Sequence, residues 1–258
     1  MSGLFDLTGK TAVVTGGTST LGSVMAKGMA DHGCSIALVC RSLEKAAPIV
    51  QELEAKGVKA KAFAADVTEM ADIERSLDEI IDWAGEFSIL LNTPGKNSPT
   101  PFFELTMDEW DDIMSVNLKG LVMTCQVYGR KMADFKTAGS IINISSVSSD
   151  PPLSRVFTYS ASKAGVNNVT QFLARELAQY GIRVNAIIPG FFPAEQNREI
   201  LAKDPARVEA IMKHTPLGRF GDAEELQGTA VWLASEKASS FVTGALIRVD
   251  GGFGAMTI

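Results

Sequence analysis

The feature that most limits what this chain can become is its rhythm. Short apolar runs alternate with longer segments of helical period, and that alternation is the signature of βαβ units. Thr11 to Val14, Ser35 to Cys40, Val58 to Ala64, Ile89 to Leu91, Ser140 to Ile144, Ile182 to Ile188 and Ala245 to Val249 read as strands. Most lack apolar/polar alternation, so the expected sheet is parallel and covered on both faces. Helices are expected from Leu21 to His32, with Gly33 as a left-handed stop, and through Ala46, Val50 and Leu53 to about Gly57. A third follows Thr68 as N-cap through Ile73, Leu77, Ile80, Ile81 and Ala84, and a fourth follows the capping box Thr106–Glu109 through Trp110, Ile113, Met114 and Leu118. The last two run from Tyr159 to Tyr180 and from Asp222–Glu225 through Leu226, Ala230 and Leu233. The fold class is α/β: three layers, doubly wound, around seven parallel strands.

Length and composition fit one such unit. The 258 residues are read as a single domain, with no linker-like stretch and no repeat. The departure from rhythm is a helical insertion at about 190–220, past the sixth strand, where an open α/β sheet binds ligands; it is expected to form a small lid. A net charge of −6 and a pI near 5.1 give no general basic surface for nucleic acid or anionic lipid. No apolar run reaches the ~18 residues of a membrane span, and the N-terminus lacks a signal-peptide pattern. The expected location is therefore cytoplasmic. Cys34, Cys40 and Cys125 have no paired spacing and read as buried free thiols, and two histidines far apart make a metal site unexpected.

Two motifs carry chemistry. Thr15-Gly16-Gly17-Thr18-Ser19-Thr20-Leu21-Gly22 stands between the first strand and its helix, where glycines let backbone approach a pyrophosphate at a helix N-terminus. Taken alone it is equally a tight strand-to-helix turn or a mononucleotide site. Tyr159 and Lys163 stand one helical turn apart on one face. A free phenol titrates near pH ~10. An ammonium beside it is expected to favour the phenolate and make Tyr159 a usable general acid/base.

Together with Asp66-Val67 after strand three, Asn92 after strand four, Asn117 and Ser146, these motifs resemble the short-chain dehydrogenase/reductase family, with its Rossmann fold, from about Lys10 to Gly252. The resemblance implies a catalytic set of Asn117, Ser146, Tyr159 and Lys163. Ser146 would hold the substrate oxygen, Tyr159 would transfer the proton, Lys163 would also bond the nicotinamide ribose, and Asn117 would order a relay water. It further implies that Gly16, Ser19, Thr20, Leu21 and Gly22 lie at the pyrophosphate and Asp66 and Val67 at the adenine. Asn92, Gly95, Pro189, Gly190 and Phe192 would line the rest of the cofactor site with Tyr159 and Lys163. Asn117 has a plainer reading, a buried amide bonded to backbone.

Three positions depart from the family pattern. Thr20 replaces a glycine, so backbone there must avoid positive φ or be strained. Asn92-Thr93-Pro94-Gly95 replaces Asn-Asn-Ala-Gly, and Ala194 replaces a common threonine. At the end of strand two, Cys40 stands where an acid would select NAD, followed by Arg41 and Ser42, so NADP(H) is expected over NAD(H).

The substrate end is Phe191 to Arg198. Dense polar side chains suit a polyol or sugar acid, with Gln196, Asn197 and Arg198 as candidates and Arg155 and His214 as further ones. The segment resembles bacterial sugar-acid reductases of the family, D-mannonate/D-fructuronate oxidoreductases and gluconate 5-dehydrogenases among them. The expected activity is interconversion of a keto sugar acid and its hydroxy form. The partner is thus a small polar carbonyl or alcohol, and the family's C-terminal strand implies a homotetramer. A 3-oxoacyl-thioester reductase and a non-catalytic cofactor-sensing regulator are the competing readings.

Overall fold

A computed structural model describes residues 3–193 and 204–256. Seven strands form one parallel sheet in the order β3-β2-β1-β4-β5-β6-β7. They are β1 (Thr11–Thr15), β2 (Ser35–Cys40), β3 (Ala60–Ala64), β4 (Ile89–Asn92), β5 (Gly139–Ile144), β6 (Ile182–Pro189) and β7 (Leu246–Val249). Connecting helices are α1 (Thr20–Asp31), α2 (Leu43–Glu54), α3 (Met70–Ala84), α4 (Met107–Met114), α5 (Gly120–Phe135) and α6 (Phe157–Leu177). After the insertion come α7 (Pro205–Lys213), α8 (Gln227–Ala234) and α9 (Glu236–Ser239).

The apolar strands divide their side chains between two cores. Ala12, Val14, Ile36, Leu38, Leu91 and Ile142 pack with Met25 and Met29 of α1 and Val231 and Leu233 of α8. Val13, Ala37, Val39, Leu90, Ile141 and Val184 face the other way, onto Ile73 and Ile80 of α3, Tyr128 of α5 and Val166 of α6. A strand buried on both faces is mostly apolar, which is why the runs read as near-continuous, and its few polar residues are hydrogen-bonded in place. Chain order reverses between β1 and β4, and the crevice opens beyond their C-terminal ends, where ligands of open α/β sheets bind.

Several expected boundaries move. Thr68 does not cap α3. Its N–H and hydroxyl both donate to the Asp66 carboxylate, at 2.9 and 2.7 Å, and the N-cap is Glu69, without a side-chain bond. The Thr68 side chain is turned back onto that carboxylate, and among the described residues no helix N–H bonds to its oxygen. Thr106 caps α4 as expected, receiving the Glu109 N–H at 3.2 Å, but the Glu109 carboxylate accepts from Thr100 instead of closing the box. The helix expected through Leu118 does not end there; it passes through a π turn at Ser115–Lys119 into α5. At the junction, a Cβ on Gly120 would stand 2.9 Å from the Val67 carbonyl, so only glycine lets the helix pack onto that loop. β3 begins at Ala60, two residues after the expected start, and α6 begins at Phe157, two residues before Tyr159.

Candidate active site

The phosphate loop is built from β1, the start of α1 and the loop after β4. Gly16 has φ +68°, a left-handed conformation that glycine adopts freely. Ser19 is the N-cap of α1, and its hydroxyl accepts the Gly22 N–H at 3.1 Å. Thr20 is the first helical residue, so the threonine in the family's glycine position carries no positive φ and no strain. The Thr20 and Leu21 N–H groups, in the first turn, have no intrahelical acceptor and point out of the helix end. That donor pair, the helix dipole and the close-approach glycine fit a pyrophosphate.

Asn92, at the end of β4, is almost fully buried. Its Oδ1 accepts from the Thr15 and Thr124 hydroxyls at 2.9 Å each, and its Nδ2 donates to Asn143 Oδ1 at 3.0 Å and Cys125 Sγ at 3.3 Å. Asn143 continues the ladder to Thr170 on α6 at 3.0 Å. Asn92 thus ties three strands and two helices together and sets the loop that carries Gly95. A Cβ on Gly95 would stand 3.9 Å from Lys163 Nζ, which places that loop against α6.

Ser146 follows β5 in extended backbone, and its hydroxyl accepts from the Ser148 N–H at 3.2 Å and the Ser148 hydroxyl at 3.0 Å. The Ser146 side chain also acts on the Tyr159 phenol, lowering its pKa. Lys163 is buried, with Nζ donating to the Ile144 carbonyl at 2.8 Å and lying 5.6 Å from the Tyr159 ring centre. Serine, tyrosine and lysine therefore converge at the C-terminal end of β5.

The electrostatics differ from the expectation. Burial pushes the Tyr159 phenol above its usual value, and the Ser146 hydrogen bond pulls it part of the way back. Burial also pushes the Lys163 amine down, to about 8. Loss of solvation disfavours phenolate and ammonium alike, and at this separation it outweighs the attraction between them. Tyr159 consequently holds its proton through the neutral range, in the form that can donate to a developing alkoxide.

Asn117 sits in the π turn with its amide committed. Oδ1 accepts the Lys96 N–H at 2.7 Å, and Nδ2 donates to the Lys96 carbonyl at 2.9 Å and to Ser162 Oγ at 3.0 Å. Ser162 in turn donates to the Tyr159 carbonyl at 2.7 Å. The plainer reading of Asn117 describes its side chain: it pins the loop after β4 to the first turns of α6. Ser162 and Lys96 were not among the expected site residues. Ser162 could have been found, since it lies one turn from Tyr159 on the helix.

The remaining candidates separate. Arg41 is exposed and makes no ion pair among the described residues, while Ser42 uses its hydroxyl to cap α2 through the Lys45 N–H at 3.3 Å. Cys40 beside them is buried, and burial raises its thiol pKa, so it stays neutral. Asp66 spends one carboxylate oxygen on Thr68, and Val67 is buried under Gly120. Pro189 ends β6 beside Val249, and Gly190 passes so close to Asp250 that a Cβ there would lie 2.7 Å from its Cα. Phe192 packs on the first core and against Gly221. Arg155 is ion-paired with Asp204 at 3.0 Å, and His214 rests against Phe253 with ring centres 4.5 Å apart. Ala194, Gln196, Asn197 and Arg198 lie outside the described residues.

The fold and this site fit a class, dinucleotide-binding oxidoreductases, with Ser146, Tyr159 and Lys163 as the candidate proton-transfer groups. Residues 16–254 match the family model described as enoyl-(acyl carrier protein) reductase. The 5-keto-D-gluconate 5-reductase of Escherichia coli K12 is 36% identical, the match covering 98% of each chain. A gluconate 5-dehydrogenase from Burkholderia cenocepacia, solved with NADP and tartrate, is 36% identical over 98% of each chain with a TM-score of 0.92. A protein from Haemophilus influenzae, provisionally described as a D-mannonate oxidoreductase and solved with NAD, is 34% identical with a TM-score of 0.93, covering 98% of this chain and 97% of that one. The chain belongs to the short-chain dehydrogenase/reductase family. It is an oxidoreductase that acts on CH–OH groups with a nicotinamide cofactor.

Proposed function

We propose that the protein is an NADP(H)-dependent reductase interconverting a keto sugar acid and its hydroxy form, of the D-fructuronate/D-mannonate kind. The observation that carries the reading is the convergence of a protonated Tyr159, the Ser146 hydroxyl and Lys163 at the crevice mouth, in a chain whose full-length relatives are named for sugar acids. A bound nicotinamide would supply the hydride to the carbonyl carbon. Ser146 would hold the carbonyl oxygen, and Tyr159 would give it a proton as it becomes a hydroxyl. Lys163, fixed on the Ile144 carbonyl, would keep the remaining donors of its amine toward the phenol side. Asn117 and Asn92 would position the loops that frame the cofactor. Arg155 would have to exchange Asp204 for a substrate carboxylate, and Gln196, Asn197 and Arg198 remain proposed partners of the substrate's polar end.

Cofactor choice rests on charge. No carboxylate stands at the end of β2; a neutral Cys40 does, next to an Arg41 without an ion-pair partner among the described residues. A 2′-phosphate there would meet the Arg41 guanidinium. Titrating both reduced cofactors tests this: tighter NADPH binding is expected, weakened selectively in Arg41→Ala, and an NADH preference would overturn it.

One observation favours a second reading. Phe102, Phe157 and Trp110 form a chain of ring contacts, 5.0 and 5.7 Å between centres, and the two phenylalanines line a groove of about 800 Å³ with Pro101, Pro152 and Leu153. Such a wall suits an acyl chain, as a 3-oxoacyl-thioester reductase requires. Assay of a 3-oxoacyl thioester beside a set of keto-hexonates separates the two. We further propose the homotetramer. Phe241 is fully exposed, and Phe172 and Tyr180 lie exposed on a groove of about 590 Å³ between α5 and α6.

A further inference from the structure

The loop after β4 reaches into the phosphate loop through a residue that departs from the family pattern. Thr93 is buried, and its hydroxyl donates to the carbonyls of Thr15 at 2.7 Å and Gly16 at 3.1 Å. The same oxygen lies 3.3 Å from Ser19 Oγ, which accepts the Gly22 N–H at 3.1 Å. Carbonyls cannot donate, so the Thr93 proton must go to them, and the Ser19 proton must then go to Thr93. The result is a one-way chain from the Gly22 N–H through two hydroxyls to the backbone of β1.

The two loop glycines make room for this hydroxyl. A Cβ on Gly16 would lie 2.8 Å from Thr93 Oγ1, and one on Gly22 would lie 2.6 Å from it. The hydroxyl is thus wedged between the turn and the helix start. The chain also takes the Gly22 N–H away from any ligand, leaving Thr20 and Leu21 as the first-turn donors.

We propose that Thr93 is a positioning residue for the nucleotide's pyrophosphate, holding Gly16 and the first turn of α1 at the spacing that binding needs. It touches no reacting atom, so it acts on cofactor affinity and leaves the chemical step alone. This rests on the reading that the loop holds a nicotinamide dinucleotide.

The test compares Thr93→Val, which keeps the shape and removes the proton, with Thr93→Ser, which keeps the hydroxyl. Titration of NADPH by quenching of tryptophan fluorescence gives Kd without turnover, and steady-state kinetics separate KM from kcat. Thr93→Val is expected to raise Kd and KM for the nucleotide about tenfold, in line with losing a buried hydroxyl network. At saturating nucleotide, kcat and the KM for the carbonyl substrate should stay within about twofold of wild type, and Thr93→Ser should restore nucleotide binding. Unchanged Kd in Thr93→Val, or a loss confined to kcat, would overturn the proposal, as would a serine variant as impaired as valine. If Thr93→Val does not fold, Ser19→Ala breaks the chain at its other hydroxyl and must raise Kd in the same way. Wild-type protein that binds neither NADPH nor NADH would instead contradict the oxidoreductase reading.

Discussion

At Tyr159, burial raises the phenol's pKa and keeps its proton in place. With its pKa pushed above the usual value, the phenol is ready to donate during carbonyl reduction, whereas alcohol oxidation needs phenolate. Initial rates of oxidation are therefore expected to climb between about pH 6 and pH 9, while reduction rates stay flat; equal profiles would remove the phenol from the proton-transfer role. Tyr159→Phe is expected to cost about 10³-fold or more in turnover with NADPH binding intact. Lys163 carries a stability cost. Its amine titrates at about 8 when folded against 10.5 when exposed, so folding disfavours its proton. Below about pH 8 both states are protonated and the full penalty applies; from there to 10.5 the unfolded chain binds more protons and the penalty is relieved as pH rises. The shift corresponds to about 3 kcal/mol, an upper bound because the bond to Ile144 offsets part of it. Lys163→Met should gain stability in urea denaturation at pH 7, lose turnover, and lack the wild type's stabilising increment above about pH 8. A variant less stable at every pH would contradict this account.

Among the elements, the polar ladder through Thr15, Asn92, Asn143 and Thr170 does the positioning. It crosses β1, β4 and β5 and ends on α6, the helix that carries Tyr159 and Lys163. Asn92→Ala would leave four buried partners short of a bond and is expected to cost about 3 kcal/mol in urea denaturation. Strand positions were legible in the sequence because burial on both faces leaves a continuous apolar run. Helix ends were less so. Thr68 looked like an N-cap, but its side chain turns back onto Asp66 and the chain enters the helix at Glu69, a choice set by turn geometry rather than residue type. The pairing of Tyr159 with Lys163 follows from helical spacing, but the direction of their pKa shifts does not, because desolvation depends on what packs around them. Thr93 carried no signal beyond a broken motif. Its role appears only when the loop after β4 is folded against the glycines.

For the whole molecule, one sheet with its order reversal at β1 and β4 puts the glycine loop before α1, the Gly95 loop and α6 around one crevice. No helix of the described residues is long and apolar enough to cross a membrane. The exposed Phe172, Tyr180 and Phe241 are expected to be covered by other copies, so light scattering should give about 110 kDa for four chains of 27.5 kDa. A monomer's mass would overturn that expectation. The central claim is that this crevice transfers hydride and proton to the keto group of a sugar acid. The most direct measurement is nicotinamide absorbance during reduction of a set of keto-hexonates with NADPH and with NADH, by wild type and Tyr159→Phe side by side. The account predicts NADPH-dependent turnover of at least one keto-hexonate, reduced by about 10³-fold or more in the variant. No turnover of any keto-hexonate, or equal turnover by the two proteins, would contradict it.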